Sequence, residues 1–76
     1  MPHIVVKMFP GRTQQQKQDL ADALTQAMIA TLQAPADAIS VAIEDIEKRD
    51  WMDQVAKPEI AGKAATIFKK PGYEIP

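Results

Sequence analysis

Proline stands at position 2, directly behind Met1, and the run His3 to Phe9, HIVVKMF, follows it at once. Proline is small enough for a preceding methionine to be trimmed away, which leaves a secondary amine at the start of a strand. An α-amino group titrates at roughly 7.7–8.0, low for an amine. A nearby cation and partial burial both disfavour its charged form and lower that value further. A base poised near the working pH is what proton abstraction requires. The plain alternative is a proline that merely opens a strand, where its missing donor is tolerated.

Two further side chains suit such a base. Arg12 lies just past the turn signal Pro10-Gly11. A guanidinium binds a carboxylate through two parallel hydrogen bonds, and the start of a helix favours an anion as well. Taken alone, Arg12 is also an ordinary loop arginine. Trp51, the single tryptophan, is either core, interface or an apolar pocket wall that keeps water from an amine. His3 and Lys7 are weaker candidates: the first reads as a polar or interface strand residue, the second as a source of positive potential or simply a solvated lysine. Lys48 is the remaining cation to consider if Arg12 holds nothing.

The elements that must position these residues are legible from the pattern. In HIVVKMF, Ile4, Val6 and Met8 fall on one face and Val5, Lys7 and Phe9 on the other, because side chains alternate along a strand. Both faces are substantially apolar, so the strand needs cover on two sides. Thr13 to Gln16, TQQQ, has the form of a capping box. Leu20, Leu24, Met28 and Leu32 then recur at every fourth residue, with Ala23, Ala27 and Thr31 beside them, which predicts an amphipathic helix of about five turns. Pro35 ends it, since the residue before a proline disfavours helical geometry. Ile39 to Ile46, ISVAIEDI, predicts a second strand. Strand, helix and strand in this order make a βαβ unit, with parallel strands and a right-handed crossover. Pro58 fits the first turn of a second helix, with Ile60, Ala64, Ile67 and Phe68 as its apolar stripe and Pro71-Gly72 as its end. The fold class is therefore α/β, or α+β, with a C-terminal helix over residues 58–70.

Composition narrows the function. The 76 residues form a single domain, residues 1–76. A chain this short buries a modest fraction of its surface. It has no cysteine and one histidine, which leaves disulfides, thiolate metal sites and histidine clusters aside. Oligomerisation is then the expected source of extra stability. A net charge of −1 with scattered Lys and Arg is not the footprint of a nucleic-acid binder. No apolar run has the length of a membrane span and no signal peptide is visible, so a cytoplasmic protein is expected.

The order and spacing of these features resemble the 4-oxalocrotonate tautomerase family. The resemblance rests on the proline after Met1, the first strand, Gly11-Arg12, the TQQQ helix start, LQAPADAISVAI leading into the second strand, and an aromatic residue after it; it covers residues 2–51. The opening PHI, VK and MFP, Trp51 and the late KKPGY resemble the PptA-like subgroup more closely. The resemblance implies a tautomerase-type β-α-β subunit and a cofactor-free isomerase. The terminal proline would act as general acid and base, a role that falls on Pro2. Carboxylate binding falls on Arg12 and the aromatic pocket wall on Trp51. No metal is implied. Where founding members carry a second arginine, this chain has Ser40. A one-arginine clamp suits a monocarboxylate, so the expected substrate is a 2-keto acid such as an arylpyruvate enol. The subgroup implies a homo-oligomer that is a dimer rather than a hexamer, the 58–70 helix capping the surface a hexamer would use. The alternatives are hydratase, dehalogenase or decarboxylase chemistry on the same proline, and a non-catalytic oligomeric interaction module.

Overall fold

A computed structural model describes residues 1–76. The chain forms two compact units, Met1–Asp45 and Ile46–Pro76.

The first unit is the βαβ element. Strand β1 (His3–Met8) and strand β2 (Ser40–Asp45) pair in parallel, with His3 opposite Ser40 and Met8 opposite Asp45. Helix α1 (Gln14–Leu32) connects them. Its start is the capping box read from TQQQ: the Gln16 N–H donates to Thr13 Oγ1 at 3.0 Å, and the Thr13 N–H donates to Gln16 Oε1 at 2.9 Å. Its end comes before Pro35. Gln33 takes the left-handed conformation, φ 53°, and its N–H donates to Ile29 O at 3.0 Å. A proline two residues beyond such a cap is a common stop. A 3₁₀ turn, Ala36–Ala38, then delivers the chain to β2.

Helix α1 covers one sheet face. The half-buried Ile4, Val6 and Met8 of β1 share the parity of Val41 and Ile43 on β2, and Lys17 of the helix donates to Asp45 Oδ2 at 2.9 Å. The covered stripe differs from the sequence reading. Ala21, Thr25 and Ile29 are half-buried with Leu20, Leu24 and Met28, whereas Ala23, Ala27 and Thr31 are exposed. A four-residue step overshoots a turn by about 40°, so a row of such steps winds around the helix. The row starts half-buried at Leu20 and ends at Leu32, which is 58% exposed. No residue of α1 is fully buried. On the other sheet face Val5 is 46% exposed, and Phe9, just past the strand, is 44% exposed.

The second unit corrects the expected helix at residues 58–70. A 3₁₀ turn spans Lys48–Asp50, and the helix that follows Trp51 spans Met52–Ala61 with i→i+5 winding, a π-helix with Pro58 in its interior. A proline ring inside an α-helix clashes with the carbonyl four residues back; the wider winding moves that carbonyl away. At a helix start, where the sequence pattern predicts it, the missing N–H of Pro58 would be harmless; inside the helix it forfeits a bond. Gly62 ends the helix. Its N–H donates to Lys57 O at 2.8 Å, and a Cβ on it would lie 2.6 Å from Pro58 O. Past it come a 3₁₀ turn at Ala64–Thr66 and an extended Ile67, so no helix reaches Lys70. Phe68, expected on an apolar helical stripe, is 99% exposed. Val55 and Ala56 are the buried residues of the chain. No helix is long and apolar enough to cross a membrane.

Candidate functional site

Pro2 sits immediately ahead of β1, half-buried, with Met1 fully exposed beyond it. Its carbonyl is tied to the sheet: the Ser40 N–H donates to Pro2 O at 3.2 Å. Parallel register also sets Ser40 opposite His3, and Ser40 Oγ lies 2.6 Å from His3 Nδ1. With the ring proton on Nε2, the Ser40 hydroxyl donates to Nδ1. The first residues of the chain are thus held through both the backbone and a side chain of β2. The partnership of Ser40 with His3 was not visible beforehand, because it depends on strand register. The apolar alternation of both strands carries that information, but only once the pairing is known to start at His3.

Arg12 is placed by the turn that leaves β1. Gly11 has φ +121°, a conformation glycine adopts readily and other residues do not. Arg12 then lines a hollow of about 210 Å³ with Met8, Gln16 and Leu20. This hollow lies between the last residue of β1 and the first turns of α1. Pro2 and Arg12 therefore flank opposite ends of β1. Six residue steps at roughly 3.3 Å each separate Pro2 from Met8 by about 20 Å. That is far more than the distance from the carboxylate to the reacting carbon of a 2-keto acid. Within one unit the structure does not bring the amine and the guanidinium together.

Trp51 belongs to the second unit, at the junction between the 3₁₀ turn and the π-helix, and is half-buried. Its indole N–H donates to Tyr73 Oη at 2.9 Å. Tyr73 lies past the end expected for the second helix, so nothing in the apolar periodicity marks it as a partner of Trp51. The signal for its role is the Pro71-Gly72 pair before it, a turn that brings the tail back on the helix.

A proline-started parallel β-α-β unit of this kind has close counterparts. The family model described as tautomerase enzyme matches residues 2–57. A "Probable tautomerase" of Xylella fastidiosa (strain 9a5c) is 47% identical over 73 residues, which is 96% of this chain and 89% of that protein. "Tautomerase PptA" of Cronobacter sakazakii is 42% identical over 76 residues, 99% of this chain and 100% of that protein. Among solved structures, TomN, described as a 4-oxalocrotonate tautomerase homologue in the tomaymycin biosynthetic pathway, superposes with a TM-score of 0.64 at 32% identity, over 86% of this chain and 97% of its own. The chain belongs to the tautomerase family, and its fold is that of the 4-oxalocrotonate tautomerase group. It is similar along its whole length to the PptA tautomerases within that family.

Proposed function

We propose that this chain is a cofactor-independent keto–enol tautomerase acting on a 2-keto acid such as an arylpyruvate enol, with Pro2 as its acid and base. The observation that carries the reading is positional. The family match begins at residue 2, and the structure holds that residue half-buried against β2 while Met1 projects into solvent. Once Met1 is removed, the neutral Pro2 amine takes the proton of the enol hydroxyl. The resulting ammonium returns a proton to the adjacent carbon, and the enol becomes the ketone. No redox or group-transfer partner is needed, because one proton leaves oxygen and one arrives at carbon. Arg12 binds the carboxylate and Trp51 supplies the apolar wall.

The strand-length separation of Pro2 from Arg12 adds a requirement. A single bound keto acid touches both only if they come from different copies of the chain, so the working site is composite and the protein a homo-oligomer. A dimer of one-domain subunits, residues 1–76, located in the cytoplasm, is the form we infer. Similarity to PptA relatives over the full chain supports the single domain.

The test compares trimmed protein with a form carrying an uncleavable residue before Pro2, both checked by mass spectrometry and circular dichroism. In the blocked form the Pro2 nitrogen belongs to a peptide bond, its lone pair delocalised into the carbonyl. It should fold normally and lose orders of magnitude in the rate of phenylenolpyruvate ketonisation followed by ultraviolet absorbance. Equal rates in the two forms would remove Pro2 as the base.

A further inference from the structure

The second unit contains a hollow of about 220 Å³ that belongs to neither Pro2 nor Arg12. Ile60 of the π-helix, Ile67, Pro71 and Ile75 form apolar walls, and Lys70 and Tyr73 complete the lining with side chains that end in polar groups. All of this lining lies beyond residue 57, outside the segment the family model matches. Two features say what the hollow is suited to hold. Tyr73 Oη accepts a hydrogen bond from the Trp51 indole at 2.9 Å. An indole nitrogen is a donor only, so the Tyr73 hydroxyl hydrogen remains to be donated elsewhere. Lys70 carries three donors and a positive charge. Both side chains are exposed and free to exchange water for a bound acceptor, and a carboxylate is the acceptor that also matches the charge. The remaining walls call for an apolar body. The volume lies below the roughly 300–1,000 Å³ of drug-sized sites, which suits one ring or a short branched chain rather than a nucleotide.

We propose that this hollow is a binding site for a small monocarboxylate with an apolar body, the carboxylate taken by Lys70 and Tyr73 and the body by Ile60, Ile67, Pro71 and Ile75. The hollow is lined by neither Pro2 nor Arg12; it meets the proposed catalytic machinery only through the bond of Tyr73 to Trp51. It is formed by the turn at Pro71-Gly72, which folds the tail back toward the end of the π-helix. Its link to Trp51 makes the ligand observable: a carboxylate that binds the Tyr73 hydroxyl polarises the oxygen that accepts from the indole.

The experiment titrates full-length Arg12→Ala protein, which lacks the carboxylate clamp proposed for catalysis, with 3-phenylpropanoate, and in parallel with its neutral amide. The readouts are Trp51 fluorescence and amide shifts in a ¹H–¹⁵N spectrum. The expected result is saturable binding, with shifts concentrated in residues 60–75, and at least tenfold weaker binding of the amide. Lys70→Gln should weaken the acid about tenfold and leave the amide unchanged. Ile67→Trp should fill the hollow and abolish both. The unsubstituted protein should show the same shifts over residues 60–75, any added shifts near Arg12 belonging to the site proposed for catalysis. The proposal is overturned if acid and amide bind equally, if Lys70→Gln changes nothing in a protein with an unaltered spectrum, or if the Arg12→Ala protein shows no shifts within residues 60–75.

Discussion

Arg12 owes its position to a single backbone torsion. Gly11 at φ +121° turns the chain from the end of β1 into the cap of α1, and Arg12 is left lining the hollow with Met8, Gln16 and Leu20. A charge-assisted hydrogen bond contributes about 1.5–3 kcal/mol, which in a rate is about ten- to a hundredfold. Arg12→Ala should lower kcat/KM for phenylenolpyruvate ketonisation by that factor while leaving the far-ultraviolet circular dichroism unchanged. An unaltered kcat/KM would return Arg12 to the status of a loop residue and direct attention to Lys7 or Lys48. At this scale the sequence is informative where chemistry is carried by residue type. A proline behind Met1 and an arginine behind a Pro-Gly turn can be singled out without coordinates. The contacts of Ser40 with His3, and of Trp51 with Tyr73, cannot, since each joins residues that come together only through strand register or a reversed tail.

The two halves of the chain were unequally legible as elements. The capping box, the stop before Pro35 and the alternation of both strands are local signals, and β1, α1 and β2 form where those signals lie. The second helix is different, because proline has two meanings. At a helix start its absent donor costs nothing; inside a helix it is tolerated only when the winding opens around it, as at Pro58. Nothing in the run MDQVAKPEIA distinguishes these cases. The glycine after it is more telling than the proline. A methyl group on Gly62 would sit 2.6 Å from the Pro58 carbonyl oxygen and 3.0 Å from that of Lys57, both parts of the backbone. Gly62→Ala should therefore destabilise the protein by about 1–3 kcal/mol, the usual range for overpacking. Denaturant unfolding at fixed protein concentration measures it. An unchanged midpoint would mean that the end of the helix shifts at no cost.

As a whole molecule, the chain is short of interior. Only Val55 and Ala56 are buried, α1 has no fully buried residue, and the apolar side chains of Val5, Phe9, Leu32 and Phe68 are all exposed. A two-stranded sheet is at best marginally stable by itself. Light scattering at micromolar concentration should accordingly give an oligomer with the mass of a dimer, and a stable folded monomer would refute that expectation. The sheet order β1-β2 has a consequence for amide hydrogens as well. In a parallel pair each strand turns alternate N–H groups toward its neighbour, so the others on both strands point outward. In deuterated water those outward amides should exchange quickly and their neighbours slowly, a rhythm of period two along His3–Met8 and again along Ser40–Asp45. Wherever a second copy adds its own strand, the rhythm on that edge should flatten into uniform slowness and return on dilution. The strand that loses its alternation would then identify which edge of the sheet the subunits share.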